Sequence, residues 1–147
     1  MRIREAGEND LLPLLELYAH LHGDAAPPIG AALAGLWAGI LADQNHHILL
    51  GMQEDHLVSS CVMLVVPNLS HGQRPYAVIE NVVTHTAYRG RGYATSLLRF
   101  ARDAAIRAGC YKIMLMTGSK REETLRFYEN AGFNRYDKTA FIQWLSP

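Results

Sequence analysis

A three-layer α/β domain with a mixed central sheet is the fold class this sequence predicts, and three observations predict it. Residues 47–66 adopt a hydrophobic period of two, as a buried hairpin does. From residue 76 onward, strand-like runs alternate with helical ones, so a parallel component joins the antiparallel meander. The chain has 147 residues, 49% hydrophobic and 19% charged, which suits one domain over residues 1–147 with one continuous sheet.

The elements follow in order. Residues 2–6 alternate polar and apolar and reach Gly7, so a short strand hands over to a helix capped by Asn9 or Asp10. Pro13 falls in its first turn, where a missing N–H is harmless, and Leu11, Leu14, Leu15 and Tyr18 mark its buried face. Gly23 and the Pro27-Pro28 pair break that pattern, and a second helix carries Ile29, Leu33, Leu36, Trp37 and Ile40 on one stripe. Strands at 47–52 and 56–66 flank a turn near Glu54. A polar loop over 68–75 then leads to a Val- and Ile-rich strand at 76–85. Ala94, Leu97, Leu98, Ala101, Ala105 and Ala108 form the stripe of the strongest helix, which stops at Gly109. A strand at 111–117, a helix at 122–131 closed by Gly132, and a last strand at 138–145 complete a six-stranded order β, α, α, β, β, β, α, β, α, β.

Several function classes drop out early. Fourteen Lys plus Arg balance fourteen Asp plus Glu, so no global field draws the chain to nucleic acid or to an anionic membrane. No apolar run approaches the roughly 20 residues of a membrane span. The residues after Met1 lack the apolar core and small-residue cleavage site of a secretory signal, so a cytoplasmic location is expected. Cys61 and Cys110 each lie in or beside an apolar run, which fits buried thiols rather than a disulfide framework or a zinc knuckle. His46, His47, His56, His71 and His85 show no zinc spacing, and no metal is expected.

The chemistry concentrates in residues 80–94, where a strand passes through a basic, glycine-bearing turn into the strongest helix. Gly90 and Gly92 permit a tight turn, the first helical amides lack acceptors, and the helix dipole adds positive potential, so the turn suits a pyrophosphate. Arg89 and Arg91 add full charges. A dinucleotide fingerprint would need glycine where Thr95 stands, and no Gly-Lys-Ser or Gly-Lys-Thr of a Walker loop follows. A plain surface turn that binds nothing is the other reading.

The run Arg89-Gly90-Arg91-Gly92-Tyr93-Ala94 resembles the Gln/Arg-x-x-Gly-x-Gly/Ala pattern of the GCN5-related N-acetyltransferase (GNAT) superfamily. The preceding Val82-Val83-Thr84, the later Phe127-Tyr128 with Gly132-Phe133, and the element order over nearly the whole chain are similar too. The resemblance implies a splayed α/β/α sheet and an acetyl-CoA-dependent transfer of acetyl to a primary amine, by direct attack in a ternary complex. It implies that the amides of Arg89, Gly90, Arg91, Gly92, Tyr93 and Ala94 hold the pyrophosphate of coenzyme A. Val82, Val83 and Thr84 would pair with the pantetheine arm as an added strand, with Val83 or a neighbour as the one-donor oxyanion hole.

Tyr128 would then be the general acid at the leaving sulfur, against the simpler reading of a core tyrosine. Where the family often has Asn and Ala, seven and four residues before that tyrosine, this chain has Arg121 and Thr124, a departure that bears on any coenzyme contact from that helix start. Glu80 is the candidate base, acting through water, or else a solvated or Arg-paired carboxylate; its run Ile79-Glu80-Asn81-Val82-Val83 resembles that of the glucosamine-phosphate acetyltransferase branch, with Asn81 unable to serve as an ionised base. His20 and His22 fall where the family places its acceptor loop, and surface histidines are the plainer account. Lys120-Arg121-Glu122-Glu123 reads as a charged helix start, and the other reading is that its cations touch the coenzyme's 3'-phosphate. Neither cysteine has a histidine-paired setting, so no covalent enzyme intermediate is expected. The acceptor stays open among a cationic antibiotic, a polyamine, an amino sugar, an amino acid and a protein terminus. A homodimer is implied by the resemblance, and the competing function is a non-catalytic acyl-CoA sensor.

Overall fold

Alternation in the first half of the chain produces an antiparallel meander, and the computed structural model, which describes residues 1–145, shows how far it extends. Strands β1 (Arg2–Glu5), β2 (His46–Gln53), β3 (His56–Val66) and β4 (Tyr76–Thr84) pair antiparallel in sequence order, and β5 (Ile113–Leu115) adds in parallel beyond β4. The mixed sheet is therefore as the periodicity predicts.

Its two faces are covered separately. Helices α1 (Leu11–His22) and α2 (Ala31–Ala42) bury Leu14 and Trp37 against Ile48, Leu50 and Val62. On the other face α4 (Tyr93–Arg107) buries Leu97, Leu98, Ala101 and Ala105 against Leu49, Met63 and Ile79, with α5 (Glu122–Asn130) contributing Phe127 and Tyr128. Odd and even positions of β2 and β3 thus feed different cores, which is why both strands read as continuous apolar runs. The polar stretch after β3 is a single distorted turn, α3 (Ser70–Gln73), with His71 and Gly72 at φ of 54° and 70°.

Asp10 occupies the cap position of α1, but its carboxylate does not cap the helix. It receives both terminal nitrogens of Arg4, at 2.6 and 2.7 Å, and the amide of Gly7 at 2.7 Å. These contacts fasten β1 to the start of α1.

Two expected strands differ. The one expected at 111–117 pairs only over Ile113–Leu115. The sixth, expected at 138–145, does not form: the segment carries no strand structure, because no strand of its own chain presents it with backbone partners. Phe141, Ile142, Trp144 and Leu145 are left exposed.

Replacing Asp10 with Ala is expected to lower unfolding stability by about 1–2 kcal/mol, read from the urea midpoint. The Arg4 guanidinium holds the Asp10 carboxyl below its ordinary value. The stabilisation is therefore present above the ordinary carboxylate range and is lost as pH falls through the folded-state value, so parent and variant should converge on acidification. A difference that persists in acid would contradict this role.

Candidate active site

Strand β4 carries one residue too many between two of its pairs with β3. Glu80 lies opposite Val62 and Val83 opposite Ser60, so Asn81 and Val82 together face the single residue Cys61. Asn81 takes φ of 51°, a left-handed value that Asn tolerates better than most residues, and the strand bulges there. The parallel pairing with β5 stops just before, at Ile79 with Leu115. From residue 80 onward β4 has a partner on one side only, and the sheet splays.

The direction of the freed backbone follows from alternation. The His85 amide donates to the Val58 carbonyl at 2.9 Å, and Ser59 Oγ donates to the Val83 carbonyl at 2.8 Å. Val83 and His85 therefore face β3, while the N–H and C=O groups of Val82 and Thr84 face the open side. Ser60 Oγ, fully buried beside the bulge, has no hydrogen-bond partner among the described residues.

The open side is a cleft of about 460 Å³ whose walls include Val82, Thr84, Gly90, Gly92, Ala94 and Tyr128. At its far end, Gly90 and Gly92 take φ of 74° and 79°, and Gly92 sits immediately before α4. A Cβ at either glycine would meet no atom within 4 Å, so the backbone angle, and not crowding, makes glycine the suitable residue. The first α4 bond runs from the Ser96 amide to the Gly92 carbonyl at 3.0 Å. The preceding amides, Tyr93, Ala94 and Thr95, have no acceptor within the helix.

The arginines of this loop do different things from each other. Arg89 is folded back: its Nε donates to the Thr84 carbonyl at 3.2 Å, its Nη2 donates to the His20 carbonyl at 3.3 Å, and its amide donates to Thr86 at 3.4 Å. It braces the loop against β4 and α1 where the sequence suggested a free charge. Arg91 lies outside the cleft walls with its guanidinium 5.3 Å from the Tyr88 ring centroid. Tyr93 lines the cleft and donates from its hydroxyl to Gln53 Oε1 at 3.1 Å.

Tyr128 reaches the cleft from α5, held edge-on by Phe127 and Phe133 at ring separations of 4.8 and 6.4 Å. Burial pushes its phenol pKa up, and the neighbouring Cys61 and Glu80 push it the same way, so the proton stays on through the neutral range. Glu80 is exposed and does not line the cleft, yet it is near enough to act on that phenol. Burial raises Cys61 to about 12, and burial likewise raises Cys110, so neither is a thiolate near neutrality. The structure thus gathers Val82, Val83, Thr84, Arg89, Gly90, Gly92, Tyr93, Ala94 and Tyr128 around one cleft and leaves Glu80 and Arg91 at its margin.

Sequence reasoning did not single out Thr124, Phe127 or Tyr88 as cleft residues. Thr124 stands three residues before Phe127 and four before Tyr128, helical spacings that put it beside both, which is the signal that would have found it. His20 lines the cleft and lies tilted against His85, with ring centroids 4.1 Å apart and planes at 53°. Burial, then the charges of His20 and Arg89, lower the His85 pKa and keep that ring neutral near pH 7. Among the described residues no cluster of His, Cys, Asp and Glu is suited to hold a metal ion.

Comparison with known proteins places this geometry. Glucosamine 6-phosphate N-acetyltransferase of Trypanosoma brucei brucei is 32% identical over 144 residues, covering 94% of this chain and 92% of that protein. A solved structure from Agrobacterium tumefaciens str. C58, assigned as an acetyltransferase, superposes with a TM-score of 0.90 at 38% identity, covering 98% of this chain and all of that one. A structure from Bacillus halodurans C-125, named a transcriptional regulator, superposes at 0.86 with 28% identity over 97% and 99% of the two chains. The family model of the GNAT acetyltransferases matches residues 12–133, which take in the bulged strand, the glycine turn and Tyr128 alike, and the chain belongs to that family.

Proposed function

We propose that this acetyltransferase uses acetyl-CoA to acetylate a primary amine by direct attack within a ternary complex. The observation that carries the reading is the half-paired stretch of β4 opening onto unsatisfied amides at the start of α4, with a protonated phenol on the wall between them. The donor set suits the cosubstrate. Backbone N–H groups at Gly90, Arg91, Gly92, Tyr93 and Ala94 would hold a pyrophosphate, with Arg89 bracing the loop through its two carbonyl contacts. Val82 and the Thr84 amide offer the free strand edge that an extended amide-bearing arm needs, the Thr84 carbonyl being taken by Arg89, while Val83 anchors that edge to β3. When bound, acetyl-CoA supplies an acetyl group already activated as a thioester.

The chain's own groups would supply the rest. Val82, whose amide faces the open side next to the bulge, is the proposed donor to the oxygen on which negative charge develops. Tyr128 gives its phenolic proton to the leaving sulfur. Glu80, at the margin, takes the proton of the attacking amine through intervening water. The proton gained by sulfur and the proton lost by nitrogen balance, and no enzyme-bound acyl group is needed. The raised thiols of Cys61 and Cys110 support that economy.

The acceptor is proposed to be a phosphorylated amino sugar, on the strength of the 32% identical glucosamine 6-phosphate enzyme. Initial rates with glucosamine 6-phosphate, glucosamine, spermidine and an aminoglycoside should rank the first highest, and a higher kcat/KM for either of the last two would reject the assignment. The name of the 28% identical regulator keeps a second reading in view, an acyl-CoA sensor that moves no acyl group. Amine-dependent thiol release decides between them.

Tyr128→Phe should cut kcat by about 10²-fold while leaving the KM for acetyl-CoA nearly unchanged. Because the phenol pKa is raised, the parental kcat should show no loss from this group below about pH 10. Unchanged turnover in the variant would remove Tyr128 from the mechanism. Gly92→Glu should abolish calorimetric binding of acetyl-CoA, through a strained positive φ and a negative charge at the anion loop; Gly92→Ala, which shares the strain and lacks the charge, should bind more weakly than the parent yet measurably. Normal binding by the Glu variant would displace the phosphate loop from this turn.

A further inference from the structure

Beyond the bulge, two peptide units of β4 are fixed by side chains. The Thr84 carbonyl accepts from Arg89 Nε at 3.2 Å, and the amide of the same unit, that of His85, donates to the Val58 carbonyl at 2.9 Å. The preceding unit joins the Val83 carbonyl to the Thr84 amide. A peptide is planar and trans, so its C=O and N–H point in opposite directions. Whatever holds the Val83 carbonyl toward β3 therefore aims the Thr84 amide at the cleft.

The holder is Ser59. It lies in β3 opposite Thr84, is fully buried, and donates from Oγ to the Val83 carbonyl at 2.8 Å. A serine hydroxyl has one proton, so its second contact, with Thr84 Oγ1 at 2.8 Å, is a bond that Thr84 donates. On the β2 side Ser59 faces Gly51, where an added Cβ would come within 3.4 Å of the Ser59 Cβ, so the glycine keeps room for the serine and brings no side chain to compete for its hydroxyl. A buried hydroxyl is costly among apolar neighbours such as Val58 and Cys61 unless it is hydrogen-bonded, and both bonds of Ser59 run to the half-paired stretch of β4. We propose, resting on the coenzyme reading of the cleft, that Ser59 is a positioning residue for the coenzyme arm: its hydroxyl fixes the 83–84 peptide so that the Thr84 amide meets a carbonyl of an arm laid along β4. With the Thr84 carbonyl taken by Arg89, that amide is what the end of the strand has left to give, and its direction is set from the strand behind it.

Calorimetry on the full chain with coenzyme A and with adenosine 3'-phosphate 5'-diphosphate, which keeps the pyrophosphate and lacks the arm, separates this role from plain stability. Ser59→Ala should weaken coenzyme A by about five- to tenfold and leave the truncated nucleotide within about twofold of the parent. In steady state the loss should fall on the KM for acetyl-CoA, with kcat within about twofold of the parent. Ser59→Cys, close in volume and a weaker donor, should show a smaller loss of the same kind, and it carries the comparison if the alanine variant does not fold. Unchanged binding of coenzyme A, an equal loss for both nucleotides, or a loss confined to kcat overturns the role of Ser59. A parent chain that binds neither nucleotide overturns it together with the coenzyme reading.

Discussion

A backbone polar group taken out of water has to be matched, and β4 beyond Ile79 is matched on one edge only. The bulge at Asn81 turns this into a fixed feature. It uses an extra residue to resume pairing with β3 while the other edge parts from β5, so Val82 and the Thr84 amide are turned toward the cleft. The cavity lies where that edge is free, the glycine turn lies where the same strand ends, and Tyr128 lies on the helix that packs across the parting.

Protonation in the cleft follows from burial more than from charge. Desolvation is the largest influence on Tyr128 and the cause of the rise at Cys61, and it drives both toward the neutral form. For the phenol that means a proton available to give; for the thiol it means chemical silence. Two groups of similar acidity in water thereby acquire opposite suitability, one on the cleft wall and one in the core beneath it.

Much of this was legible in the sequence because the decisive signals are local. Period two in residues 47–66, the alanine and leucine stripe of α4, and a left-handed glycine before a helix are all properties of short windows. Three things depend instead on how the elements meet in space. The fold-back of Arg89 depends on where the end of α1 comes to rest, 69 residues away in sequence. Asp10 had the right residue type for a cap, but Arg4 competes for its carboxylate from a neighbouring strand. Residues 138–145 have the composition of a strand, and strand formation requires an edge that the same chain's fold does not bring to them. Pattern reports what a segment is able to pair with, and topology decides whether the counterpart arrives.

The Arg89 guanidinium ties two carbonyls from different parts of the fold, Thr84 at the end of β4 and His20 in the last turn of α1. One side chain therefore latches the helix on one flank of the cleft to the turn at its head. The spacing of those two walls of the cleft is thereby bounded by the reach of one arginine side chain.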